Sequence, residues 1–408
     1  MSWVAEASSP FLRIGVLSAA AINYTAIFDP VSTHPSAVIT GIAARSVSRA
    51  EAQIAENKRF FPLKCTAYGS YDALLAAEDV DAVYISLPNG LHHKWALAAL
   101  AKGKHVLIEK PIASNAQQAR EIFEAAARAG KIAMEAFHWR LHPAAHVVKQ
   151  LLLSGEYGRV LSVNPQAMLP AGLFKKDDIR FQYDLAGGCC MDLTYVFSAS
   201  AYFAARDITD PNLEFEVVQA QARLHPKEKL IDEAISATIL IKDPHPYATP
   251  ARSGPATVTC NVKADLLQPK LFGLIPKLWQ GGTPSITIQT ERAEIIFSNF
   301  MGPWAGHSIT VTSVERSPTD STKIVSRGAK RVLKQYKGGP LWDQELADEG
   351  GGEEWFTTYR WQLEAFTRMI EKGESGYKGP WMSSGESIRI MELIDATYEK
   401  LGLPVRGL

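Results

Sequence analysis

Cysteine is scarce: Cys65, Cys189, Cys190 and Cys260 are four among 408 residues, and no two show C-x-x-C spacing. That argues against a zinc framework and against a disulfide scaffold, and scattered thiols fit a reducing compartment. Neither sign of charge is in excess, since Lys+Arg and Asp+Glu both number 43. A neutral chain gives no electrostatic footing for nucleic acid or an anionic membrane as its main partner. No stretch is long and apolar enough to span a bilayer, and the first ten residues lack a basic region followed by an apolar run. The expectation is a cytoplasmic protein with no membrane or nucleic-acid partner and no metal.

What is present is enough apolar residue, 46%, for sizeable cores. A chain of 408 residues exceeds what one core usually supports, so two domains are expected. Residues 12–17, 37–44, 82–86, 105–108 and 132–136 read as short buried strands. Between them Ser48 with Glu51, and Ser114 with Gln117, read as capping boxes opening helices that run to Arg59 and Ala129. A further helix runs from about His92 to Ala101. Short apolar runs alternating with amphipathic helices predict a doubly wound parallel sheet, a Rossmann-type α/β domain over residues 1–140.

From residue 141 the texture changes. A helix at 143–154 leads away, and residues 160–163, 216–220, 237–241, 256–260, 285–288 and 308–311 are β-rich with few helical crossovers. A large, mostly antiparallel open sheet in an α+β domain over 141–408 is expected. The basic run 323–337, beside Gly338-Gly339-Pro340 and ahead of Gly350-Gly351-Gly352, reads as an exposed insertion loop. Helices at 358–372 and 386–401 are expected to pack back on the body.

Chemistry concentrates at strand ends, where an open α/β sheet binds its ligands. The first strand turns through Ser18, Ala19, Ala20 and Ile22, where a dinucleotide pyrophosphate would meet a helix amino end. The usual G-x-G-x-x-G is missing, with Ser18 and Ala20 in place of the first two glycines, so an empty structural turn is the alternative. Arg45 and Ser46 follow the second strand where NAD-binding domains carry an acid, and with Arg49 they suit the 2′-phosphate of NADP better than NAD. Leu87-Pro88-Asn89 ends another strand, with His92 as a helix cap or a surface residue. Glu109-Lys110-Pro111 closes the strand 105–108. Lys110 reads either as the partner of Glu109 in a surface salt bridge or, aimed inward by Pro111, as a cation lowering the pKa of a substrate hydroxyl. Gly187-Gly188 precede an apolar helical run in which Asp192 and Tyr195 share a face. They form a proton-transfer pair or a buried hydrogen bond. His138 and His142 are spaced as a metal pair would be, but Pro143 ends the regular geometry, and structural histidines are expected.

Together these motifs resemble the glucose-fructose oxidoreductase / inositol dehydrogenase / rhizopine-catabolism (Gfo/Idh/MocA) family, in its dimeric dihydrodiol dehydrogenase and NADP-linked D-xylose dehydrogenase branch. The resemblance is carried by Leu87-Pro88-Asn89 with His92, Glu109-Lys110-Pro111, Trp139-Arg140 with Pro143, Ile179-Arg180-Phe181, Gly187-Gly188 with Asp192, and Tyr359-Arg360-Trp361-Gln362 with Ala365-Phe366. It implies hydride transfer between NADP and a sugar, polyol or cyclic diol, and a homodimer through the open sheet. It implies Lys110, Asp192 and Tyr195 as catalytic residues, with Arg180 beside them on the substrate. It further implies cofactor contacts from Glu109, Lys110, Trp139 and Arg140, besides the turn, Arg45, Ser46, Arg49, Leu87, Pro88, Asn89 and His92. Tyr195 departs from the family pattern, standing three residues after Asp192 rather than four, roughly 100° around an ideal helix. A nicotinamide-sensing regulator and a redox-neutral glycoside-processing enzyme are the rival readings.

Overall fold

The computed structural model describes residues 11–175, 177–247, 256–268 and 284–407; the first ten residues, read above for a leader, lie outside them. The amino-terminal part holds strands β1 (Leu12–Leu17), β2 (Ala37–Ala43), β3 (Thr66–Tyr68), β4 (Ala82–Ile85), β5 (His105–Glu109) and β6 (Ala133–Ala136). Its helices are α1 (Asp29–Ser32), α2 (Val47–Glu56), α3 (Tyr71–Leu75), α4 (His92–Ala101) and α5 (Ala116–Ala129). β2 and β4 are buried at every residue, as strands covered on both faces must be. All pairings are parallel and the order is β3-β2-β1-β4-β5-β6, the doubly wound dinucleotide-binding order.

Helix α6 (Pro143–Leu153) leads to β7 (Val160–Pro170), α7 (Cys189–Asp192) and α8 (Tyr195–Ala204). Strands β8 (Glu214–Leu224), β9 (Asp232–Asp243), β10 (Ala256–Gln268), β11 (Ser285–Thr290), β12 (Ala293–Ser298), β13 (Ser308–Arg316) and β14 (Ile324–Leu333) complete a sheet ordered β14-β13-β12-β11-β7-β10-β9-β8. Only β7 with β10 pairs parallel. Alternation fixes which face is inside: Ile235, Ala237, Ile239 and Ile241 of β9 are buried. They sit on the same side as α8, which is apolar all round and buried at every residue, a helix made for the middle of a body. The other face is polar, with Asn261 donating to Asn164 at 2.8 Å. Last come α9 (Trp342–Leu346), α10 (Thr358–Gly376) and α11 (Ser384–Leu401). As expected, α10 returns to α1 and α11 to α5. None of the described helices is long and apolar enough to cross a membrane.

Three expectations are corrected. Residues 323–337 are largely the edge strand β14, paired to β13, rather than an insertion loop. Edge strands are kept from pairing further by charge, and Lys330 with Arg331 removed the alternation that would have marked a strand. Ser48 lies inside the first turn of α2, whose N-cap is Ser46. Asn115 rather than Ser114 caps α5, because it has the extended backbone a cap requires and its side chain accepts from Gln118 N. The short β3 and the hairpin strand β12 were not read from the sequence at all.

Candidate active site

Register lines up the strand ends. Leu17 stands beside Ile85, Ile85 beside Ile108, and Glu109 beside Ala136. Ser18, Ser86 to Asn89, Lys110 and His138 therefore leave the sheet along one edge. A cavity of about 410 Å³ opens there, lined from the first sheet by Ala20, Ile22, Leu87, Pro88, Asn89 and Lys110. Arg180, Asp192, Tyr195 and Tyr359 close it from the other side, beside the apolar Leu169, Phe174, Ile179 and Met301. Asn89 ties the two walls, donating to Ala186 O at 3.1 Å. Next to it Gly90 allows the backbone to come close, since a Cβ would press on the neighbouring chain 3.0 Å from Asp184 O. A larger cleft, about 1210 Å³, lies at the opposite edge around Arg13, Asp81 and Lys104. It meets the amino ends of the strands, where this fold does not bind ligands, and its Arg13 is already paired to Asp81 at 2.7 Å.

Lys110 is not the salt-bridge partner of Glu109. The Glu109 carboxylate instead accepts from the Tyr84 hydroxyl at 2.6 Å and from the Lys110 backbone N–H at 3.3 Å. Burial pushes that carboxyl up, against the lowering from Tyr84 and Lys110. The ammonium of Lys110 points across the cleft, donating to the Asp192 carbonyl at 2.7 Å and to Oδ1 at 3.2 Å. Arg180 Nε holds Oδ2 of the same carboxylate at 2.9 Å and is itself paired with Asp178. Burial alone would raise the Asp192 carboxyl, but the two cations outweigh it and hold it below the ordinary carboxylate range. A carboxylate between two cations stays ionised and accepts hydrogen bonds.

The offset of Tyr195 is absorbed by a break in the helix. α7 ends at Asp192, Leu193 leaves helical geometry at φ −95° and ψ 37°, and α8 begins at Tyr195 itself. A roughly 100° offset holds only along one continuous helix. Across the break the phenol ring comes within 5.1 Å of Lys110 Nζ and lines the cavity. Burial first, then the charge of Asp192 and Glu109, keeps this phenol well above its usual range, so it is neutral and holds a proton. Its hydroxyl meets His138 Nε2 at 2.7 Å. His138 follows β6, sits in the wall with 4% exposure, and turns Nδ1 to Thr358 Oγ1 at 2.8 Å. Sequence reasoning gave it a structural role, yet it ends a buried parallel strand just as Lys110 does, and that was the available signal.

The degraded turn keeps its shape by other means. Ser18 takes φ 138°, a glycine-like angle. It is held there by Ser86 Oγ at 2.8 Å and by Asn23, whose amide donates to the Ser18 carbonyl at 2.9 Å. Ala20 and Ile22 face the cavity. Arg45 and Arg49 are exposed beyond β2, with no ion pair among the described residues, and Ser46 is half-buried beside them. Three side chains expected at the cofactor point elsewhere. His92 is fully buried, with one ring nitrogen 2.8 Å from Leu87 O and the other 2.8 Å from Pro111 O, so it braces two strand ends instead of capping a helix or meeting a cofactor. Trp139 packs inward on Phe300 and Tyr202, and Arg140 pairs with Glu386 at 2.6 Å, because the chain turns away from the cavity after His138.

A parallel sheet in this order, whose strand ends carry a lysine that faces a carboxylate and a phenol delivered by an antiparallel-sheet unit, is the build of a dinucleotide-fold oxidoreductase. Residues 12–137 match the Gfo/Idh/MocA model, described as an oxidoreductase family with an NAD-binding Rossmann fold. D-xylose 1-dehydrogenase (NADP(+)) 2 of Haloferax volcanii is 42% identical over 197 residues, 47% of this chain and 57% of that one. The match thus spans little more than half of that relative's length. The dTDP-3,4-didehydro-2,6-dideoxy-alpha-D-glucose 3-reductase of Streptomyces antibioticus is 31% identical over 239 residues, 58% of this chain and 67% of its own. The chain belongs to the Gfo/Idh/MocA family. In fold it also matches a solved 3-ketoreductase from Actinomadura kijaniata, in complex with NADP and TDP-benzene, at TM-score 0.69 and 24% identity over 96% of this chain and 98% of that one.

Proposed function

We propose that this protein is an NADP-dependent oxidoreductase that moves a hydride between the nicotinamide and a hydroxyl or carbonyl of a sugar, polyol or cyclic diol. The observation that carries the reading is the meeting of Lys110, Asp192 and the neutral Tyr195 phenol at the strand ends, beside the turn from Ser18 to Ile22. The bound nicotinamide supplies or accepts the hydride. Lys110 polarises the reacting oxygen, a fixed positive charge placed where alkoxide character develops. Tyr195 gives that oxygen its proton in reduction and takes it back in oxidation. Asp192 and Arg180 hold a neighbouring hydroxyl, while Leu169, Phe174, Ile179 and Met301 accept an apolar ring face. Glu109, Leu87, Pro88 and Asn89 belong to the cofactor wall on this reading.

Incubating the protein with NADP and a panel of aldoses, polyols and dihydrodiols tests this directly. Stoichiometric NADPH formation is the expected result; turnover on catalytic cofactor would replace the dehydrogenase with a redox-neutral glycoside enzyme. The turn fits a pyrophosphate and the free guanidinium groups of Arg45 and Arg49 fit a 2′-phosphate. Losing one charge-assisted contact costs about 1.5–3 kcal/mol. Arg45→Ala should accordingly weaken NADP binding about 10–100-fold and leave NAD binding unchanged. Equal loss for both cofactors in a fluorescence titration would refute the phosphate assignment. A division at residue 140, a cytoplasmic location consistent with four free cysteines, and a homodimer paired through the open polar face complete the proposal.

A further inference from the structure

We infer that His138 is the positioning residue that aims the Tyr195 proton into the cavity, by donating Nε2–H to the phenol oxygen. The inference rests on Tyr195 being the proton donor of the proposed reaction. Among the described residues the Tyr195 hydroxyl has one hydrogen-bond partner, His138 Nε2 at 2.7 Å. If that nitrogen carried a lone pair, it would draw the phenolic hydrogen out of the cavity and into the wall. If it carries a hydrogen, the phenol oxygen accepts and its own O–H is released toward the substrate.

The far side of the ring favours the second. Nδ1 faces Thr358 Oγ1 at 2.8 Å. A threonine inside a helix commonly spends its hydroxyl hydrogen on the carbonyl four residues back. Thr358 is the first residue of α10, after the cap Thr357, so no helical carbonyl stands behind it and its hydrogen is free for Nδ1. The imidazole then accepts from Thr358 and donates to Tyr195. A single ring hydrogen requires a neutral histidine, and burial with Lys110 nearby holds His138 down to about 3. Tyr359, the next residue of α10, lies over the ring at 4.1 Å between centroids and fixes its plane.

Reduction then balances without a further group. The reduced nicotinamide would supply the hydride to the carbonyl carbon, the phenolic proton reaches the carbonyl oxygen, and the phenolate left behind accepts a hydrogen bond from Nε2–H until solvent reprotonates it. Lys110, Arg180, Asp192, Glu109 and Tyr359 are the charged and titratable groups around the same pair.

The test has two arms. Histidine ¹⁵N resonances, with His138 assigned by its loss in His138→Gln, should show the Nε2–H tautomer and a shift of that proton in Tyr195→Phe. An Nδ1–H tautomer overturns the inference. In kinetics His138→Met should lower kcat about 100-fold, at the low end of what positioned acid–base groups contribute. KM and NADP affinity should hold, and His138→Gln, whose amide can both donate and accept, should recover most of kcat. A methionine variant turning over like the parent overturns it as well. If the parent itself transfers no hydride with any panel substrate, the proposed reaction has failed, and the tautomer arm still decides the role of His138.

Discussion

Lys110→Ala will abolish most turnover and leave NADP affinity nearly unchanged. Positioned proton-transfer and polarising groups contribute about 10²–10⁴-fold, and kcat should fall within that range. The basis is where the ammonium points. Its contacts are on the Asp192 side of the cleft, at 2.7 and 3.2 Å, with the Tyr195 ring at 5.1 Å, and its side chain keeps 14% exposure toward the cavity. On the proposed reading it therefore serves the substrate, while the turn at Ser18 and the arginines beyond β2 serve the cofactor. Folding should survive, because Arg180 remains on Asp192 at 2.9 Å and the carboxylate is not stranded. Lys110→Arg should not rescue, since a planar fork cannot place a point charge at the same atom. Steady-state kinetics beside NADPH fluorescence titration separates the outcomes. A collapse of cofactor binding with kcat per bound enzyme preserved would move Lys110 out of the catalytic role.

The half of the site nearest in sequence was the legible half. A buried parallel strand is an apolar run of four or five residues, so a charge just past its end, like Lys110, announces the cleft by local pattern alone. The turn after β1 was legible as a strand-end turn for the same reason, even with Ser18 and Ala20 in place of glycines. His138 satisfied that local rule too, but its partners Tyr195 and Thr358 lie 57 and 220 residues away, and no spacing encodes such a contact. Tyr195 was visible as a residue and wrong as a geometry, because the break at Leu193 leaves no period to count. His92 was misread for the opposite reason. Its position was right, and only the packed structure shows both ring nitrogens already facing carbonyls. In the second sheet the inward-facing alternation was readable, whereas β14, exposed at nearly every residue and carrying Arg327, Lys330 and Arg331, looks like a loop until β13 is beside it.

Arg406→Met should cost about 3–5 kcal/mol of stability, and adding Asp232→Asn should return part of it. Arg406 and Asp232 are both fully buried, joined at 3.1 Å. The guanidinium also donates to Gly187 O at 2.9 Å and Leu230 O at 2.7 Å, and lies 4.0 Å over the Tyr398 ring. Burial drives the Asp232 carboxyl up despite Arg406 and the Cys190 N–H, so its charge is tolerated rather than favoured. Removing the arginine leaves that charge alone in the interior. Asparagine discards the charge, keeps one acceptor for Cys190 N at 2.7 Å and turns its amide N–H toward the Tyr398 hydroxyl oxygen at 3.0 Å, so the double variant should melt above Arg406→Met. Asp232→Asn by itself should destabilise, because Arg406 then loses its counter-ion. Urea midpoints of the four proteins give the coupling energy, and additive losses would show that charge is not the cause. The effect should reach the active site as well. Gly188 sits at φ 130°, where a Cβ would fall 2.2 Å from Asp232 Oδ1, and four residues later the chain presents Asp192 to Lys110. The carbonyl of Arg406 meanwhile accepts from Asn115 at the cap of α5. Arg406 thus sets the turn beneath Asp192 with its side chain while its backbone ties that wall to the parallel-sheet side, so on the proposed reading Arg406→Met should lower kcat even at temperatures where the variant is fully folded.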